Sequence, residues 1–130
     1  MEAYRLRRSL IPTPAGAFPL REVRLPDADA WKLLRQTRSC IRIGELELRW
    51  VSPAPDGALR MAVTVRKKNG SAPLRNRIRR QLRELVRHRR EELGGVWIRW
   101  SFPPRRLESP TRTVRQHAMQ SLIQAKLVKP

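Results

Sequence analysis

The chain has 130 residues, with 29 lysines and arginines against 11 acids, a formal charge of +18 and a pI of about 11.9. That length fits one domain burying roughly two-thirds of its unfolded surface, and no stretch approaches the ~20 apolar residues of a membrane span. Charges near Met1 interrupt the apolar run a signal peptide needs, a lone Cys40 excludes an internal disulfide or thiolate zinc cluster, and the basic excess implies a polyanionic partner in the cytoplasm.

Residues 1–24 mix Arg5, Arg7 and Arg8 with Pro12, Pro14, Gly16 and Pro19, so they read as a basic, proline-rich extension ahead of a domain over 25–130. Asp27 is the expected N-cap of a short helix from Ala28 to Arg38, with Ala30, Trp31, Leu33 and Leu34 on its apolar side. Ile41 and Ile43 then alternate in one phase and Leu46, Leu48 and Trp50 in the other, which predicts a strand bent or bulged at Gly44. Cys40, between Ser39 and Ile41, is expected to be a buried strand residue. After the Pro53–Gly57 turn, Leu59, Met61, Val63 and Val65 alternate as a half-buried strand, expected to pair antiparallel with its predecessor.

Gly70 ends that pattern, Ser71 can cap a helix, and Pro73 falls in its first turn, where a missing N–H costs little. Leu74, Ile78, Leu82, Leu85 and Val86 follow steps of four and three, and so form one apolar stripe. Gly94-Gly95 should stop the helical region, Val96 to Phe102 should form a third strand closed by Pro103-Pro104, and Ser109-Pro110 should open a last helix through Lys126. On that helix Val114, Ala118, Leu122 and Ala125 share one side. The order is α-β-β-α-β-α, an α+β single domain.

Opposite the apolar stripe of the middle helix lie Asn76, Arg80, Arg83 and Arg87, with Arg75, Arg79 and Arg77 on its flanks. Every charged residue from Arg66 to Arg90 is basic except Glu84, so i,i+4 pairing cannot neutralise this face. Arginine dominates, and its planar fork matches phosphate oxygens and stacks on bases. The face reads as a surface for RNA or DNA.

The run Lys67-Lys68-Asn69-Gly70-Ser71-Ala72, then Arg75-Asn76-Arg77-Ile78-Arg79-Arg80 and Leu82-Arg83-Glu84, resembles the signature of the bacterial ribonuclease P protein subunit, a Lys-Lys-x-Gly-x-Ala turn leading into an Arg-Asn-Arg helix. Arg66 stands where that family usually has Ser, and Pro73 where a β-branched residue is usual. The resemblance implies a sandwich-like fold similar to ribosomal protein S5 domain 2, with a left-handed βαβ crossover between Val65 and Val96, against the general right-handed rule. It implies a catalytic RNA that removes the 5′ leader of precursor tRNA with magnesium ions, the protein assisting as a monomer in a 1:1 ribonucleoprotein, holding no cofactor by any motif of its own and touching no membrane. Lys67, Lys68, Arg75, Asn76, Arg77, Arg79, Arg80, Arg83 and Arg87 would bind the catalytic RNA. Trp31, Trp50, Arg60 and Arg66 would serve a cleft for the single-stranded leader; Trp97 and Trp100, in opposite strand phases, cannot both face it.

No catalytic group of the protein's own is expected. His88 and His117 have no sequence-near acid and nucleophile in a recognisable arrangement, and Glu45, Glu47, Glu91 and Glu92 read as ion-paired or exposed rather than as metal ligands. A general RNA-binding protein, ribosome-associated or a divergent paralogue without a role in tRNA processing, is the alternative, kept open by Asp27, Asp29 and the extension. A DNA-binding regulator would want a helix-turn-helix, whereas this basic helix follows a strand.

Overall fold

The computed structural model describes residue 25, residues 28–108 and residues 110–130. The expected extension and the expected caps at Asp27 and Ser109 lie outside those residues. In chain order the elements are α1 (Ala28–Gln36), β1 (Cys40–Ile43), β2 (Leu46–Val51), β3 (Arg60–Thr64), a 3-10 turn (Lys67–Asn69), α2 (Ala72–His88), the short α3 (Arg90–Leu93), β4 (Trp97–Ser101) and α4 (Pro110–Gln124). The strands form one mixed sheet in the order β1-β2-β4-β3.

Two expectations about the sheet are corrected. The segment around Gly44 is not one bent strand. It is a hairpin, in which Ile43 pairs with Leu46 across a Gly44-Glu45 turn, and Gly44 takes a φ of +60°, as tight hairpin turns require of their first central residue. Its α-carbon also lies against His117 of α4, where an added Cβ would come within 2.5 Å of the imidazole.

The second correction concerns β3, which does not pair with β2. β4 inserts between them, antiparallel to β2 and parallel to β3, so β3, α2 and β4 make a parallel crossover unit. The linker after β2 explains the difference. It is too long for a tight turn, and it is fastened to the start of β4: Ala54 N–H donates to the Gly95 carbonyl at 2.8 Å, and Asp56 accepts from the Trp97 indole at 2.9 Å while pairing with Arg60 at 2.6 Å. Held there, the chain passes across the end of β4 and delivers β3 to the far edge.

Cross-strand partners share a face, so the register sorts the sheet into two surfaces. Leu46 and Leu48 of β2, Met61 of β3 and Ile98 and Trp100 of β4 turn to the side covered by α2 and α4, where Ile78, Leu82, Val86, Ala118 and Leu122 complete the main core. On the other face, Val51 and Trp97 meet Ala30 and Leu34 of α1 in a smaller cluster. Trp97 and Trp100 therefore do occupy opposite faces, and both are buried. Leu33, expected on the apolar side of α1, is exposed. Cys40 is exposed too: it is out of phase with Ile41 and Ile43, on an edge strand, where α1 does not reach.

α2 forms as read. Ser71 caps it through its hydroxyl, which accepts from the Leu74 N–H, and the stripe from Ile78 to Val86 is buried. What roots this helix is Asn69, a polar side chain with no exposed surface. Its Oδ1 accepts from the Arg66 N–H at 2.8 Å, and its Nδ2 donates to the carbonyls of Pro103 at 2.7 Å and Arg105 at 2.8 Å. The turn before α2 is thereby tied to the loop after β4. Asn69→Ala leaves three backbone groups without that partner and should cost about 3 kcal/mol in unfolding free energy, measured by urea denaturation; an unchanged midpoint would show that water replaces the amide.

Candidate nucleic-acid interface

Two cationic surfaces flank the sheet. The first is the outer side of α2, where Asn76, Arg77 and Arg80 are exposed and Arg75, Arg79, Arg83 and Arg87 are half-buried, with Lys67 and Lys68 exposed on the turn below. Arg79 has a structural duty as well, since its guanidinium donates to the Val65 carbonyl at 3.2 Å and pins α2 to the end of β3. The Nε atoms of Arg75 and Arg87 are buried without a hydrogen-bond partner among the described residues. Glu84 remains the one acid on the helix.

The second surface lies on the α1 face. Beyond the apolar row of Val51 and Trp97, where α1 ends, the register places Arg49 opposite Arg99, and in the next row Arg42, Glu47 and Ser101 side by side. This part of the sheet is the floor of an open cleft of about 710 Å³, walled by Arg35 of α1, Arg66, and the loop carrying Pro103 and Arg105. Trp31 stands at its side with the Arg99 guanidinium 5.8 Å from the ring centre, a cation–π distance.

Charge in the cleft is unbalanced. Burial pushes the Arg99 guanidinium below its ordinary value, and repulsion from Arg49, Arg35 and Arg66 adds to the shift. Its Nε has no partner among the described residues. The acids nearby are already engaged: Glu45 holds Arg105 at 2.6 Å, and Glu47 holds Arg42 and Arg49 at 2.8 Å each. Burial works against ionising Glu47, yet the hydrogen bonds from Arg49 and Arg42 outweigh it and bring its carboxyl down to about 2. An anion that entered would meet a partly desolvated cation that has no ion-pair partner among the described residues, a setting in which electrostatic contacts are stronger than in bulk water.

Four residues expected in this cleft have different fates. Arg66 lines it, and Trp31 packs against its Arg99. Trp50 is corrected: it is in phase with Leu46 and Leu48 and packs at the margin of the α2–α4 core, on the opposite sheet face. Arg60 is corrected too, because Asp56 holds its guanidinium in the network that anchors the β2–β3 linker, leaving its side chain 12% exposed. Asp56 is itself stabilised as the anion: burial opposes this, but the Ala58 N–H, Arg60 and Trp97 together lower its pKa. Sequence reading passed over Arg35, Arg42, Arg49 and Arg99. The signal was present in the polar phase of β2 and β4, where arginines alternate with core residues.

Because Glu47 is ionised in the fold well below the ordinary carboxylate value of 4.5, its contribution to stability is complete above that pH and is lost as pH falls toward about 2. Glu47→Gln should flatten the acid side of the stability curve across that window, as read by denaturant unfolding at a series of pH values; an unchanged acid limb would mean the pairs with Arg42 and Arg49 persist in the unfolded chain.

Similarity to known proteins agrees with this geometry. A ribonuclease P protein structure from Staphylococcus aureus superposes with a TM-score of 0.68 at 17% identity, covering 82% of this chain and 98% of that one. The ribonuclease P protein of Thermotoga maritima gives a TM-score of 0.61 at 19% identity, covering 78% and 96%. No curated protein matches. The sequence profile described as Ribonuclease P matches residues 20–126, a span that takes in both cationic surfaces and the whole sheet, and the chain belongs to the ribonuclease P family, the protein subunits of the endonuclease that processes precursor tRNA.

Proposed function

We propose that this subunit contributes position and charge rather than chemistry, one surface serving the catalytic RNA and the other the precursor. The observation that carries the reading is the segregation of the two cationic surfaces to opposite faces of one sheet. On the α2 side, Lys67, Lys68, Arg75, Asn76, Arg77, Arg80, Arg83 and Arg87 meet the phosphate backbone of the ribonuclease P RNA, with Arg79 dividing its donors between RNA and Val65. Contacts of this kind release counterions and lower the magnesium needed for the RNA to compact. Magnesium itself belongs with the RNA in this reading, since Glu45, Glu47 and Glu92 hold Arg105, Arg42 with Arg49, and Arg89.

The α1-face cleft takes the single-stranded 5′ leader. A base stacks on Trp31 while Arg99, Arg49, Arg35 and Arg66 receive the adjoining phosphates. Single strands suit such a site because every base has a π-face and the cleft offers no groove for a duplex. The protein acts as a monomer in a 1:1 complex, since its charge opposes self-association.

Two measurements test the division. In multiple-turnover cleavage of a precursor tRNA by a bacterial ribonuclease P RNA at low magnesium, the intact protein should restore turnover and a variant with Arg75 and Arg77 both changed to Ala should not. The same variant should lower the slope of log affinity against log salt by roughly 1–2. Tight RNA binding without rescue would instead favour a general RNA-binding protein. Trp31→Ala should weaken binding of precursor by about 1–3 kcal/mol while sparing mature tRNA. Trp50→Ala should affect both equally, through folding; the reverse pattern would move the leader to the other face of the sheet.

A further inference from the structure

We infer that Glu47 is a positioning residue that sets the preference of the cleft for leader-bearing RNA by aiming Arg49; the inference rests on the reading of this cleft as the leader site. A carboxylate on the floor of a cleft for a polyanion repels the ligand that the surrounding arginines attract. Its contacts show what it does there. Glu47 Oε1 accepts from Arg49 Nε at 2.8 Å and from Ser101 Oγ at 3.3 Å, and Oε2 accepts from Arg42 Nη2 at 2.8 Å. It is thus gripped from its own strand and from both neighbouring ones, and its side chain is 15% exposed.

Arg49 is fixed at two points by this arrangement. Its Nε is bound to Glu47, and its Nη1 donates to the Arg35 carbonyl on α1 at 2.8 Å. Two bonds from one planar group set both its plane and its direction, and Nη2 is left for a ligand oxygen. Directly across the strand pair is Arg99, whose guanidinium lies over Trp31. The line from Glu47 through Arg49 and Arg99 to Trp31 therefore joins an anchored acid to the place where phosphate and base would sit. Without Glu47, the cleft would carry more positive charge and hold RNA of any kind more readily, but the Arg49 fork would no longer be pre-set, and discrimination would fall.

That opposition between charge and aim supplies the test. Holoenzyme assembled from a bacterial ribonuclease P RNA and each protein variant is titrated with precursor tRNA carrying a single-stranded leader and with mature tRNA. For Glu47→Gln, the ratio of the two affinities should fall about tenfold while mature tRNA binds as well as before or better. Glu47→Asp retains the charge but cannot reach both arginines, and it should lose the preference to a similar degree. Combined with Arg49→Ala, Glu47→Gln should add no further loss, as expected for residues acting as a unit. A wild-type preference in Glu47→Asp would reduce Glu47 to a source of charge, and equal weakening toward both RNAs would reduce it to a structural residue; either overturns the inference alone. A wild-type holoenzyme that binds both RNAs equally would overturn the leader reading, and the inference with it.

Discussion

The insertion of β4 between β2 and β3 is the constraint on which the rest of this structure depends. A central strand has both of its faces committed, and β4 meets this with an almost unbroken apolar run in which Ile98 and Trp100 enter the α2–α4 core while Trp97 packs beneath α1. The polar residues of β4, Arg99 and Ser101, fall on the α1 face beyond the Val51–Trp97 row, where they line the cleft. The same insertion forces the connection from β3 to β4 to cross the sheet, and α2, with its arginine face outward, is that connection. Both cationic surfaces thus follow from one topological decision.

That decision was only partly legible in the sequence. The helices and strands could be read because their signals are local: Ser71 and Pro73 at the start of α2, the four-three spacing of its stripe, and the period of two in β3. Strand order is not local. Alternation in β3 made it look like the natural hairpin partner of β2, and nothing in the period of a strand states its neighbour. Two features did point elsewhere: the β2–β3 linker is longer than a tight turn, and Val96 to Phe102, apolar at five of seven positions and in both strand phases, suits a strand packed on both faces, whereas β3 with its polar alternate positions suits an edge.

The functional residues divide in the same way. The basic face of α2 could be read because it depends on spacing along one element, and its basic residues remain outward once the stripe is buried. The cleft was not, because it is assembled from β1, β2, β4, α1 and two loops, and its members meet only through the register. Trp50 and Arg60 illustrate the failure: each is a residue type suited to RNA, yet the first sits in the phase of the core and the second is claimed by Asp56. Asn69 was hidden for a different reason. In sequence it occupies an unspecified place in a basic turn, whereas in the fold it satisfies backbone groups from two distant loops.

The way the acids are used distinguishes the two surfaces physically. Glu45, Glu47 and Asp56 each bind an arginine on or beside the sheet, so there the chain uses its few negative charges to orient cations. On α2 only Glu84 is present, and Arg77 and Arg80, with Lys67 and Lys68 on the turn below, stand in solvent, where the dielectric is high and interactions are weak per pair and screened by salt. Such a surface suits attraction and neutralisation of a polyanion without a fixed geometry. In the cleft Arg49 and Arg99 are partly desolvated and Arg49 is held by hydrogen bonds, the setting in which polar contacts are stronger and dependent on fit. Under the proposed division, affinity falls to the face that tolerates many phosphate arrangements, and selectivity to the face where Arg49 is already fixed.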